Sequence, residues 1–220
     1  MKDMRLSKAF AIALAILILT VSISLPIYIR PFYYVQIEPL NIPQRTGKDY
    51  EAVKEAYDCI LDYLTIPGKE FSAGDFPYSS NGYKHFKDCK TLFCINTILL
   101  FISLATVITL SILNRKKIFK LERPKGMHIS YTVCKRLLIV IIAIALIASI
   151  NFTWTFDLFH KLIFPQNEYW GFDFRYDPII KALPEAYFRN CAILIFSSAF
   201  IQTAAVITIN RILKRKRSRP

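Results

Sequence analysis

Four stretches of the chain run without Lys, Arg, Asp or Glu for long enough to form bilayer-crossing helices: Ala9 to Ile29, Leu92 to Leu113, Leu137 to Trp154 and Asn190 to Asn210. A helix needs about 20 mainly apolar residues to cross a hydrocarbon core of about 30 Å. The first stretch is broken late by Pro26, the second carries the amide of Asn96, and the third is the most hydrophobic. Four such stretches in 220 residues predict an all-α membrane protein, a single four-span membrane domain over residues 1–220. Outer loops at 30–91 and 155–189 are expected to form a helical and partly irregular extracytoplasmic cap. The first span is long for the apolar region of a signal peptide, and no small-x-small cleavage site follows it, so an uncleaved anchor is expected.

Charge orients these spans. The chain holds 29 Lys+Arg against 16 Asp+Glu, a formal net charge of +13. Residues 1–8, 114–136 and 211–220 carry 17 basic side chains against Asp3 and Glu122, whereas the two outer loops hold 12 basic and 14 acidic residues. The whole basic excess therefore lies on one side, which predicts a multi-pass protein of the cell membrane with both termini cytoplasmic. Such patches beside apolar spans act as topology signals and anionic-lipid contacts, which argues against nucleic acid as a partner. The sequence leaves the oligomeric state open.

Within the first outer loop, residues 31–43 are proline-punctuated and expected to be extended. From Asp49 to Thr65, Val53, Ala56, Tyr57, Ile60, Leu61 and Leu64 recur at helical spacing, with Glu51, Lys54, Glu55, Asp58 and Asp62 on the other face. This predicts an amphipathic helix ended by Pro67-Gly68. Ser79, Ser80 or Asn81 is placed to cap a helix continuous with the second span. In the second loop, Phe156 to Phe164 reads as a further helix closed by Pro165.

The chain has three histidines, and two of them occupy matching depths. His85 precedes Leu92 by seven residues and His160 follows Trp154 by six, each about 10 Å beyond its apolar stretch at the helical rise. Asp88 and Asp157 stand at i+3 and i−3 from them, where a carboxylate orients an imidazole and favours its imidazolium. Paired acid–base histidines and two interfacial histidines packed among aromatics both fit this pattern. His128, in the basic loop, reads as a solvated residue. Asn167, Trp170 and Arg175 fit a substrate groove and interface anchoring equally.

Five cysteines, at 59, 89, 94, 134 and 191, show no metal-ligand spacing. A Cys59–Cys89 disulfide and free thiols both fit. Cys89, four residues after His85, is also a candidate nucleophile by spacing alone.

The run Phe76-Pro-Tyr-Ser-Ser-Asn-Gly-Tyr-Lys-His85-Phe-Lys-Asp88-Cys-Lys-Thr-Leu-Phe93 resembles the first motif of the lipoprotein intramolecular transacylase family of Gram-positive bacterial membrane proteins. Phe156-Asp-Leu-Phe-His160-Lys-Leu-Ile-Phe, followed by Asn167, Trp170, Asp177-Pro178 and Pro184-Glu185, resembles the second. Gly82 stands where many members carry an acidic residue, and Phe86 where many carry Met. The resemblance implies a substrate lipoprotein whose N-terminal cysteine bears a diacylglyceryl group and a free α-amine. The enzyme moves the sn-2 acyl chain to that amine, giving the lyso form, with His85 and His160 catalytic at the extracytoplasmic face. Diacylated lipoproteins and lipid are then the partners, and no metal or cofactor is called for. A membrane assembly or partner-binding protein without enzymatic activity is the alternative that fits the same aromatic cap.

Overall fold

The computed structural model describes residues 2–165 and 168–217. Asn167 and Arg219 therefore lie outside the described residues. Among the described residues eight α-helices follow in order: α1 Lys2–Tyr28, α2 Pro31–Tyr34, α3 Ile42–Thr46, α4 Tyr50–Thr65, α5 Ser80–Arg115, α6 Ile129–Ile150, α7 Phe152–Ile163 and α8 Glu185–Arg217. Among the described residues, α1, α5, α6 and α8 are long and apolar enough to cross a membrane. The described residues divide into two compact units, one within 2–24, 96–147 and 194–217, the other within 25–95, 148–165 and 168–193.

The first unit is a bundle of the predicted apolar spans. Phe10, Leu14 and Ile18 of α1 form a buried cluster with Leu110, Phe119, Leu121, Cys134, Ile141, Ala199 and Ile207. Neutral polar side chains supply the directional contacts. Gln202 Nε2 donates to the hydroxyls of Ser22 and Ser198, each at 3.0 Å, and Asn96 Nδ2 donates to Ser24 at 2.9 Å. In lipid, where burial of apolar surface does not favour one helix partner over another, such bonds and close packing hold spans together. His128 is not the solvated loop residue expected. It is half-buried, lies edge-on to Phe10 at 6.0 Å, and accepts from the Ser130 amide at 3.3 Å, capping α6.

The second unit is built around α4. Asp49 caps it by accepting from the Ala52 amide at 2.8 Å, and the buried face is Val53, Ala56, Tyr57, Ile60, Leu61, Tyr63 and Leu64. Tyr33 stacks on Tyr57 at 3.8 Å, Tyr187 meets both edge-on, and the Tyr57 and Tyr187 hydroxyls share a 3.0 Å bond. The Tyr33 hydroxyl donates to the Ala182 carbonyl at 2.7 Å, so three buried rings have their polar tips satisfied. Arg30 forks onto Asp58 and Asp62 on the outer face of α4. All five cysteines are free.

Two expectations are corrected in this unit. Residues 31–43 are not extended. Pro31 and Pro43 sit in the first turns of α2 and α3, where a missing amide costs nothing, and left-handed Asn41 at φ 51° joins the turns between them. The third apolar stretch is not one helix either. Asn151 is extended and accepts from the Trp154 amide at 2.9 Å, ending α6 and starting α7. Phe152, Thr153 and Trp154 thus belong with His160 rather than with the span.

The start of α5 is anchored by a residue far along the chain. Buried Asp177 accepts from both the amide and the hydroxyl of Ser79 at 2.7 Å, and Ser79 Oγ accepts from the Gly82 amide at 3.0 Å. A Cβ on Gly82 would overlap the Asp177 carboxylate, so glycine here makes room for the anchor.

Tyr57→Ala is expected to cost about 3–5 kcal/mol, and Tyr57→Phe, which removes only the hydroxyl, about 1 kcal/mol, both measured as unfolding in detergent. Asp177→Ala is expected to cost about 1–3 kcal/mol and to raise amide exchange across residues 79–83, since it orphans the Ser79 donors. Gly82→Ala should raise exchange over the same segment, because the methyl group displaces the carboxylate.

Candidate active site

The second unit brings His85 and His160 together. Each is carried by a helix, His85 one turn inside the capped start of α5 and His160 in the last turn of α7. Their ring centroids lie 5.9 Å apart and the rings are tilted by 35°. At 6% and 8% exposure both imidazoles are buried. A group or water that fits between them reaches both.

The walls are aromatic. Phe164 and Phe172 meet the His85 ring edge-on at 5.1 and 5.3 Å. Phe156, Phe159 and Trp170 surround His160 at 4.4, 5.4 and 5.0 Å. Water excluded by these rings strengthens whatever polar contacts remain inside. Trp170 is therefore part of the histidine surroundings, whereas Arg175 forks onto Asp173 at 2.6 Å.

Hydrogen bonding settles one tautomer. His160 Nδ1 is 2.8 Å from the Phe156 carbonyl oxygen, which only accepts, so Nδ1 carries the proton. In the neutral ring Nε2 then keeps its lone pair. Burial holds the His160 pKa below the ordinary histidine value, against the opposing pull of the Phe156 carbonyl and the Asp157 charge. The ring is accordingly neutral at pH 7 and ready to accept a proton. Stability contributed by this neutral form is complete above the unfolded-chain value near 6.5 and is lost as the pH falls through the lower folded value.

His85 is set differently. Its Nε2 lies 3.5 Å from Cys89 Sγ, and its buried Nδ1 has no hydrogen-bond partner. An orphaned ring nitrogen in an apolar pocket is costly unless a ligand or water completes it. Cys89 packs against the apolar core, which keeps its thiol protonated and makes it a partner for His85 rather than a nucleophile. Asp88 and Asp157 are half-buried beside the two histidines in sequence. The acceptor that orients His160, however, is a backbone carbonyl one turn back. Among the described residues no three His, Cys, Asp or Glu side chains converge as a metal site.

The sequence places Phe164 on the helix face of His160, but it does not reveal the Phe156 carbonyl or Phe172 as neighbours of the histidines. A helical residue offers its carbonyl to the side chain at i+4, and Phe172 lies in the aromatic and charged stretch that follows α7.

The family model described as lipoprotein intramolecular transacylase Lit matches residues 8–188. The in meso structure of the membrane integral lipoprotein intramolecular transacylase Lit from Bacillus cereus matches with a TM-score of 0.87 at 27% identity, covering 98% of this chain and 97% of that one. Structures of the same Bacillus cereus protein with an H85R and an H85A mutation match with TM-scores of 0.80 and 0.81, again at 27% identity. They cover 98% and 99% of this chain and 93% and 96% of theirs. No curated protein sequence matches the chain. The matched residues take in both histidine motifs, and the non-enzymatic alternative gives way. The chain belongs to the lipoprotein intramolecular transacylase family, membrane enzymes that transfer an acyl group within a lipoprotein.

Proposed function

We propose that His85 and His160 catalyse transfer of the sn-2 acyl chain of a diacylglyceryl-modified lipoprotein to the α-amine of the same N-terminal cysteine. The single observation that carries this reading is the pair of buried imidazoles, 5.9 Å apart and supplied by two different helices, in a chain of this family. The relative from Bacillus cereus has itself been solved with histidine mutations, which agrees with a histidine of interest in that protein.

Donor ester and acceptor amine belong to one molecule, so holding them in register supplies much of the rate through effective molarity. The rest is proton movement. An α-amine titrates at about 8 and must lose a proton to attack. His160 Nε2, with its lone pair exposed by the Nδ1–H to Phe156 bond, is the base that takes it. The amine nitrogen forms a bond to the ester carbonyl carbon and gives up a second proton, the bond from that carbon to the glycerol oxygen breaks, and the glycerol oxygen takes up that second proton. His85 Nδ1, left unpartnered in the pocket, is placed to hydrogen-bond the departing oxygen and to relay that proton. Asp157, whose charge favours the His160 imidazolium, and Asp88, one turn past His85, act as electrostatic supports. The proposed topology keeps both termini in the cytoplasm and the histidines at the extracytoplasmic face. It is supported by the confinement of the basic excess to residues 1–8, 114–136 and 211–220.

His85→Ala and His160→Ala should each reduce lyso-form product by at least about 100-fold. The readout is mass spectrometry of lipoprotein N-termini from membranes holding equal amounts of each variant. Retention of lyso-form lipoprotein by either variant overturns the assignment.

A further inference from the structure

The first unit holds a feature that acyl transfer does not use. Two adjoining cavities, of about 410 and 590 Å³, share Arg123 and His128 as wall residues. The smaller is completed by Gly126, Met127, Ser130, Asn210, Leu213 and Lys214. The larger adds Lys117, Lys120, Asn114 and Asp3 with the apolar side chains of Ile118, Phe119 and Leu121. Among the described wall residues of the two cavities, four cationic side chains stand with one carboxylate, that of Asp3.

The region is built rather than merely basic. Asn210 Nδ2 donates to Ser130 Oγ at 3.1 Å, and Ser130 Oγ lies 2.9 Å from His128 Nδ1, which also accepts from the Ser130 amide. With Nδ1 an acceptor, the neutral His128 ring carries its proton on Nε2 and adds a neutral donor to the cations. Leu121 and Phe119 are buried beneath, and the loop is tied down by Ser7 Oγ and Asn114 Oδ1, which accept from the amides of Glu122 and Leu121 at 3.0 and 2.9 Å. The walls come from the ends of α5 and α8 and the start of α6, and Ile112, Ile118, Ile209, Ile212 and Leu213 are large apolar residues exposed nearby in sequence.

We propose that these adjoining cavities bind a phosphate group, of the kind an anionic phospholipid headgroup presents, through Arg123, Lys214, Lys117 and Lys120 with His128 as a neutral donor. Arginine grips phosphate oxygens in a planar fork and lysine adds point charge. The mixed basic and apolar lining matches an anionic lipid whose chains run along exposed apolar helix surface, since basic pockets between spans select such headgroups. Diffuse attraction of a basic surface to anionic lipid predicts that any two lost charges are equivalent. A built site predicts that they are not.

The test is native mass spectrometry of the full chain in detergent, titrated with phosphatidylglycerol, phosphatidylcholine or inorganic phosphate. Phosphatidylglycerol should bind at least about fivefold tighter than phosphatidylcholine. Arg123→Gln with Lys214→Gln should weaken it about 10- to 30-fold. The charge-matched pair Lys116→Gln with Lys125→Gln, exposed and outside the walls, should change it less than about twofold. All four positions are exposed, so an unchanged thermal transition confirms that each variant is folded. Phosphatidylglycerol binding that millimolar phosphate does not displace assigns the site to a headgroup. Saturable phosphate binding with the same variant pattern assigns it to the free anion. Equal binding of the two lipids with no binding of phosphate overturns the proposal, as does equal loss in the two double variants.

Discussion

Taking two imidazoles out of water side by side is the constraint on which the second unit depends. Burial disfavours the charged form of each ring, and proximity disfavours charging both at once. The pair therefore rests neutral, one nitrogen bonded to a carbonyl, one beside a thiol, and one with no partner at all. That orphan is tolerated because everything around it is fixed. Aromatic rings close the walls, the tyrosine cluster of residues 33, 57 and 187 holds α4 to the chain around it, and Asp177 holds the start of α5.

Much of this could be read from the residues. Uninterrupted apolar stretches announce the membrane helices, and the alternation of apolar and charged positions from Asp49 to Thr65 announces α4 with the same buried face. The two histidines stood out because each falls at a helical distance from a span with an acid at i±3. What escaped was non-local or belonged to the backbone. The Phe156 carbonyl is invisible to side-chain patterns. Asp177 and Ser79 meet although they stand 98 positions apart in sequence. The helix break at Asn151 depends on one side chain bonding the Trp154 amide, in a stretch otherwise apolar enough to continue. Residues 31–43 misled because proline was read as a sign of extension, whereas it also starts helices. Gly82, which departs from the family's common acidic residue, gains a reason: the space beside it holds the Asp177 carboxylate.

The two units illustrate different uses of polar atoms. In the span unit, Gln202, Ser22, Ser198, Asn96 and Ser24 bond one another, so little polar capacity is left over. In the second unit, His85 keeps a buried nitrogen unsatisfied. In the basic cavity around His128, one ring nitrogen is fixed by Ser130, and Arg123 and Lys214 stand among the lining residues.

His160 is proposed to act as a neutral base, its proton on Nδ1 and its lone pair on Nε2. Nitrogen-15 NMR of histidine-labelled protein in lipid bilayers at about pH 6.5 measures this directly, with the resonances assigned by omission in a His160→Gln variant. The account predicts a neutral His160 ring carrying its proton on Nδ1. A ring found charged at that pH, or neutral with the proton on Nε2, would contradict it.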